Sequence, residues 1–185
     1  MILLDKEQAR TIGLTNRRNL SSKLRAIEEE AVFELAKKEL QSINSIGCYV
    51  SIKDELDTRK IINWCLEQNK LIALPKITSN TLSFYRITSM SQLISSSFGL
   101  LEPDSCKEVS IPELEIMLVP LSAFDGNGHR TGFGKGYYDS ILNNSKRNVG
   151  LAFCQQEVTQ IKTDPWDIPL TEVWTSHGKR VFTAV

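Results

Sequence analysis

Ile116-Met-Leu-Val-Pro-Leu-Ser-Ala-Phe-Asp-Gly-Asn-Gly-His-Arg-Thr-Gly-Phe-Gly-Lys-Gly-Tyr-Tyr-Asp139 decides how this chain is organised. Its first four residues are an unbroken apolar run stopped by Pro120, the pattern of a central strand buried on both faces. Five of the chain's ten glycines then fall between Gly126 and Gly136. Glycine adopts positive φ at low cost and lets backbone N–H groups approach a ligand closely. Arg130 and Lys135 add two cations to the same loop. Successive N–H groups beside fixed positive charge make a concavity for phosphate oxygens. Asp139 supplies a hard carboxylate, suited to a magnesium ion carried by that phosphate. A passive turn needs glycine but none of Arg130, Lys135, Tyr137, Tyr138 or Asp139.

Outward from this stretch the pattern alternates. Residues 20–42 read as a helix, with Leu24, Ile27, Ala31 and Leu35 as its inner stripe and Glu28, Glu29 and Glu30 toward water. A strand is expected over Gly47–Ile52, then a helix capped by Asp57 or Thr58 and running to about Gln68. Leu71–Leu74 reads as a buried strand closed by Pro75, and Leu82–Ile87 as another. Ser89 to Ser97 is serine-rich and suggests a weak helix or loop. A helix should start at Gly136 and reach Leu142, followed by a strand over Val149–Phe153. Near the end, His177-Gly178 between two β-rich runs signals a hairpin. No internal repeat, linker or domain boundary is visible, so one domain over residues 1–185 is expected. The fold class implied is a layered α/β sheet, mostly parallel in its middle, with ligands beyond the carboxyl ends of its strands.

Composition narrows the function. The chain has 185 residues, 41% hydrophobic and 24% charged, with a formal net charge of zero. Nothing in that balance argues for nucleic acid or an anionic membrane as a partner, so any anion site must be local. No apolar run approaches the roughly 18 residues of a membrane span. Met1-Ile-Leu-Leu-Asp5 is too short and too soon acidic for a signal peptide, so a cytoplasmic location is expected. Cys48, Cys65, Cys106 and Cys154 have no CxxC spacing and read as buried thiols in a reducing compartment. His129 and His177 are far apart in sequence, which argues against zinc. The loop is neither Gly-x-x-x-x-Gly-Lys-Ser/Thr nor Gly-x-Gly-x-x-Gly, which speaks against a P-loop or a dinucleotide fold.

Val119-Pro-Leu-Ser-Ala-Phe-Asp125, Gly128-His-Arg130 and Gly132-Phe-Gly-Lys-Gly-Tyr-Tyr-Asp139 together resemble the signature of the 5-formyltetrahydrofolate cyclo-ligase (methenyltetrahydrofolate synthetase) family. Lys6-x-x-x-Arg10, Asp54-Glu-Leu-Asp-Thr58, Phe98–Pro103, Gly150–Phe153 with Gln155 or Gln156, Trp166-Asp167 and Leu170–Val173 resemble further family segments, in order. Two departures are Leu121, where a glycine is usual, and Thr131, where a leucine is usual. The resemblance implies a three-layer α/β/α fold of the NagB/RpiA/CoA-transferase-like type. It also implies conversion of 5-formyltetrahydrofolate and ATP to 5,10-methenyltetrahydrofolate, ADP and phosphate, with magnesium as cofactor.

By the same resemblance, Lys6, Arg10, Arg130, Gly132, Gly134, Lys135, Gly136, Tyr137 and Tyr138 would hold ATP. Arg130 and Lys135 would be the catalytic cations. Val50, Glu55, Phe133 and Tyr137 would contact the folate. Asp139 and Asp167 would bind magnesium, with Asp164 the alternative to Asp167. Trp166 and Trp174 are more ordinary as packing residues. The expected partners are these two small molecules, and a monomer is expected. A silent folate- or nucleotide-binding protein, or a sugar-phosphate isomerase or acyl transferase of similar fold, would not need the full set of Lys6, Arg10, Arg130, Lys135 and Asp139.

Overall fold

The computed structural model describes residues 2–97, 99–104 and 106–183. Its helices are α1 (Lys6–Arg18), α2 (Ser22–Leu40), α3 (Arg59–Glu67) and α4 (Asp139–Leu142). Its strands are β1 (Ser45–Gly47), β2 (Leu71–Thr78), β3 (Thr81–Ile87), β4 (Leu93–Ser95), β5 (Leu101–Pro103), β6 (Lys107–Val109), β7 (Ile116–Val119), β8 (Ala123–Phe124), β9 (Arg130–Thr131), β10 (Asn148–Leu151), β11 (Glu172–Thr175) and β12 (Gly178–Val181). Eight strands form one sheet in the order β12-β11-β10-β7-β1-β2-β3-β6. The pairs from β11 through β2 are parallel; β12, β3 and β6 add antiparallel edges. Hairpins β4–β5 and β8–β9 stand outside this sheet.

The apolar run Ile116–Val119 is the buried central strand expected of it. Alternate side chains feed two cores: Ile116 and Leu118 pack with α2 and α3, while Met117 and Val119 pack with Phe124, Leu142 and Leu170. This is the period-two division that a sheet covered on both faces requires. The layer on the second face carries little helix, because α4 is a single turn.

Several boundaries differ from the expectation, each for a local reason. The buried face of α2 is Glu28, Val32, Ala36 and Leu40, whereas Leu24 and Ile27 are exposed. The inner stripe is therefore shifted by one residue, and Glu28 is inside because its carboxylate accepts bonds from Cys154 N, Gln155 Nε2 and Ser176 Oγ. The strand expected to reach Ile52 ends at Gly47: Cys48 N makes a last bond to Ala73 O, and the chain then bonds Thr58 through Tyr49 O and Ser51 N. β2 runs past Pro75 to Thr78, because β1 stops opposite Ala73 and leaves one edge open where a residue without N–H fits. The serine-rich segment contains β4 rather than only a helix or loop. Gly136 has φ +69°, which no α-helix accommodates, so α4 begins at Asp139. The last hairpin turns on Ser176-His177, one residue earlier than its glycine suggested. Only Cys48 and Cys65 are buried thiols; Cys106 and Cys154 are half-buried.

α1 matters most for the site. Asp5 and Gln8 form a capping box at its start. Leu4 bridges Ile161 in parallel, with Leu4 N on Gln160 O and Lys162 N on Leu4 O, both at 2.8 Å. Gly13 lets the helix lie directly on β8: an added Cβ would meet Ser122 O and would stand 2.8 Å from Ala123 Cβ. Gly13→Ala should thus lose more to overpacking, about 1–3 kcal/mol, than the roughly 1 kcal/mol gained in helix propensity. A lowered midpoint in urea unfolding is the expected outcome, and a raised midpoint would contradict this packing.

Candidate active site

Beyond the carboxyl ends of β1 and β7 opens a cleft of about 770 Å³. Its walls come from six places distant in sequence: the start of α1, the loop after β1, the β2–β3 hairpin, the β4–β5 hairpin, the glycine loop with α4, and Trp166-Asp167. Of the sequence candidates, Lys6, Arg10, Val50, Glu55, Arg130, Gly132, Phe133, Gly134, Lys135, Gly136, Tyr137, Tyr138, Asp139 and Asp167 all line it. Asp164 does not line it, but it is held close by through Lys6.

The scaffold beneath the glycine loop is polar and saturated. Asp125 is fully buried, and its carboxylate accepts bonds from Asn127 N (2.9 Å), His129 N (3.1 Å) and Ile161 N (2.9 Å), with His129 Nδ1 at 3.1 Å. Thr131, where a leucine was usual, is buried because its hydroxyl meets Ser122 Oγ at 2.7 Å. Leu121, where a glycine was usual, packs where Gly150 has no side chain, since a Cβ there would stand 2.7 Å from Leu121 Cδ2. Each departure thus has its own partner.

Arg130 is the central cation. Its side chain is only 5% exposed, and Nε is buried without a hydrogen-bond partner among the described residues. Its guanidinium lies 3.6 Å from Asp139 Oδ1 and 5.7 Å from the Tyr138 ring centroid. Burial lowers its pKa, opposed by Asp139, Tyr138 and Asp167; an arginine nevertheless stays charged. A buried cation with an unused donor is costly unless an anion completes it. Arg10 Nε donates to Gly132 O at 2.6 Å, which fixes the near end of the loop, and Gly134 has φ +85° with Arg10 beside it.

The carboxylates are also paired. Lys6 Nζ lies 2.7 Å from Asp164 Oδ2 and 2.6 Å from Asp167. Burial works against the Lys6 charge, but both aspartates outweigh it and raise the pKa. Asp167 is the more enclosed of the two, at 15% against 45% exposure, and also accepts the Asp164 backbone N–H. Among the described residues, no group of three or more His, Cys, Asp or Glu side chains could by itself hold a metal. Asp139 and Asp167 still fit magnesium, which uses one or two carboxylates and completes its octahedron with phosphate and water.

On the opposite wall Glu55 is buried, with Oε2 accepting from Ile52 N at 2.9 Å. Burial pushes its pKa up, more than that bond and the Arg17 charge pull it down. Phe133 is 57% exposed at the cleft mouth. Tyr137 and Tyr138 each place part of the side chain in the second core, Tyr138 edge-on to Phe84. Trp166 lines the cleft and is 68% exposed, whereas Trp174 is wholly buried and donates to Glu172 instead. Sequence reasoning missed Tyr49, Pro75, Ile77, Leu82 and Glu102 on the same wall. Only Glu102 carried a signal, since its segment matched the family pattern.

The layered α/β sheet carries a cationic glycine loop and flanking carboxylates at its strand ends, the place where enzymes of this architecture hold their ligands. Residues 4–176 match the model of the 5-formyltetrahydrofolate cyclo-ligase family, and the chain belongs to that family. It is accordingly an enzyme of the cyclo-ligase class. A Haemophilus influenzae 5-formyltetrahydrofolate cyclo-ligase is 32% identical over 91% of this chain and 96% of that protein. The NMR structure of Aquifex aeolicus 5,10-methenyltetrahydrofolate synthetase is 33% identical, with a TM-score of 0.86, and the match covers 97% of this chain and 94% of that one. A Mycoplasma pneumoniae 5,10-methenyltetrahydrofolate synthetase structure shares the fold at 23% identity and a TM-score of 0.77. No helix among the described residues is long and apolar enough to cross a membrane.

Asp125→Asn would turn one acceptor oxygen toward backbone N–H groups as a donor. A loss of about 2–4 kcal/mol is expected from breaking a buried charged network, read as a lower unfolding midpoint. An unchanged midpoint would show that Asp125 does not brace the loop.

Proposed function

We propose that this enzyme converts 5-formyltetrahydrofolate and magnesium-ATP to 5,10-methenyltetrahydrofolate, ADP and phosphate. The observation that carries the proposal is the buried Arg130 guanidinium, with its unused Nε, beside a glycine loop and two carboxylates. A triphosphate with its metal supplies what that arrangement lacks: oxygens for the donors and a cation for the acids. Lys6, Arg10, Arg130 and Lys135, with amides of Gly132, Gly134 and Gly136, take the phosphate oxygens, and Tyr137 and Tyr138 flank them. Arg130 can grip two oxygens at once, whereas a lysine acts as a point charge. Asp139 and Asp167 hold magnesium, which when bound neutralises charge on the phosphates. Lys6, now paired with Asp167, would turn to the phosphates in that state.

The chemistry asks for positioning more than for a protein nucleophile. A formamide oxygen is a poor leaving group. It attacks the γ-phosphorus, and the bond to the bridging oxygen breaks to leave ADP. The imidoyl phosphate so formed has a carbon open to attack. The folate nitrogen at position ten adds its electron pair there and gives up its proton. The C–O bond then breaks, and phosphate leaves with the bonding electrons. Arg130 and Lys135 stabilise the transferring group, which is the main demand of phosphoryl transfer. Val50, Glu55, Phe133 and Tyr137 orient the folate so that oxygen and phosphorus meet in line.

The direct test mixes purified protein, magnesium-ATP and 5-formyltetrahydrofolate and follows the near-ultraviolet absorbance of the methenyl product. Absorbance that rises equally without nucleotide would overturn the proposal. In the same assay Asp139→Ala should lose magnesium-dependent turnover by about 10²-fold or more while keeping its circular dichroism; full activity would remove it from the metal site.

Glu55 predicts a pH effect. Folate binding needs its charged form, and its pKa is raised. On acidification the KM for folate should therefore begin to rise above the ordinary glutamate range, and Glu55→Gln should abolish that limb. A limb that persists in the variant would assign it to another group.

A further inference from the structure

The turn that carries Glu55 has open space on both sides. On one side is the main cleft; on the other is a second cleft of about 710 Å³, lined by Arg25, Glu29, Asp54, Asp57 and Arg59 among others. Ile52, Lys53, Glu55 and Leu100 border both. Side-chain packing alone cannot fix a wall that faces two cavities, because dispersion contacts need atoms on both sides. The turn also holds Lys53 at φ +49°, the left-handed region that a side chain disfavours. A segment placed this way needs another restraint to keep one conformation.

Bonds between Ser51 and Thr58 close the base of the turn, and Asp54 ties its tip to the helices. Its Oδ1 accepts from Arg17 Nη2 at 2.7 Å, and its Oδ2 from Arg18 Nε at 3.2 Å. Its carbonyl accepts from Arg25 Nη1 at 2.7 Å. Arg25 also donates to Arg17 O at 2.9 Å and lies 4.7 Å over the Phe153 ring. The Arg17 side chain is only 3% exposed and is 3.5 Å from Leu121 O, next to the β8–β9 hairpin. The peptide unit after Asp54 is the one that presents Glu55. Lys6, Arg10, Gly13 and Arg17 follow one another at helical spacing on one face of α1. The helix that brings two cations to the glycine loop therefore ends on the residue preceding Glu55.

We infer that Asp54, held by Arg17 and Arg25, is a positioning residue for folate recognition: it fixes the 51–55 turn to α1 and so aims the Glu55 carboxylate into the cleft. The inference rests on the proposed role of Glu55 and extends it to a residue that touches no substrate. Asp54 is partly exposed, at 24%, so Asp54→Asn removes charge without opening a cavity.

A double-mutant cycle tests it, with KM for 5-formyltetrahydrofolate and kcat measured for the wild type, Asp54→Asn, Glu55→Gln and the double variant. Asp54→Asn should raise the folate KM about tenfold, the cost of one charge-assisted bond, with kcat within about twofold. In the Glu55→Gln background the same substitution should raise it less than twofold. Asp54→Glu, which keeps the charge, should recover part of the loss. An Asp54→Asn effect of equal size in both backgrounds would overturn the positioning role, as would no effect in either. A Glu55→Gln variant with unchanged folate KM would instead overturn the assignment of Glu55 itself. Should Asp54→Asn fail to fold, Arg25→Lys, which weakens the grip on the Asp54 carbonyl, enters the cycle in its place with the same expected pattern.

Discussion

The site depends on one buried carboxylate. Asp125 accepts bonds on both oxygens, and those bonds close its own 125–129 loop and join it to the distant Ile161 segment. Through the Asn127 and His129 amides it closes the loop that leads into Arg130. Through Ile161 N it fixes the segment that bridges Leu4 and so sets the start of α1. That start carries Lys6, whose partners Asp164 and Asp167 come from the same segment a few residues on. Burying an ionised group is expensive, and only a full complement of donors makes it tolerable. The same requirement makes Asp125 a precise organiser, since a shift of either segment would leave a buried acceptor without its donor.

Charge in the cleft follows a second rule: most cations and anions described there are already paired, but in ways that a ligand can exchange. Lys6 lies between two aspartates, and Asp139 stands 3.6 Å from Arg130. Zero net charge and a local anion site are therefore compatible. The pairs offset like-charge repulsion within the cleft, and Arg130 Nε has no hydrogen-bond partner among the described residues. Partly exposed pairs of this kind stabilise the fold by little, which accords with the binding role proposed for them.

Much of this was legible in the chain. The Ile116–Val119 strand, the glycine loop after it and the alternation of helix and strand all follow from local chemistry, and the structure has them. The candidate residues from four separate segments line one cleft. What local chemistry could not show is what tertiary context decided. Leu24 and Ile27 are apolar yet exposed, while Glu28 is inside because three donors from the 154–155 turn and Ser176 meet it. The loop over 48–58 is irregular because Thr58 and Ser51, not a strand partner, satisfy part of its backbone. Pro75, Ile77 and Leu82 belong to the cleft because the β2–β3 hairpin lies beside it, and no periodicity encodes that.

The glycine loop also shows why its spacing differs from the common phosphate-binding patterns. Those patterns place the anion at the N-terminus of a long helix, where aligned peptide dipoles contribute about half an elementary charge. Here the helix after the loop is a single turn, Asp139–Leu142, and its first residue is acidic. A helix so short has little dipole to offer, and an aspartate at its start cancels part of it. The positive field must therefore come from side chains. Lys6 and Arg10 arrive from α1, and Arg130 from β9, each held by contacts made elsewhere in the fold. Under the proposed function, the N-terminal helix takes over the part that a loop-and-helix unit performs by itself in the commoner motifs, and its clamping at its start, its middle and its end suits that part.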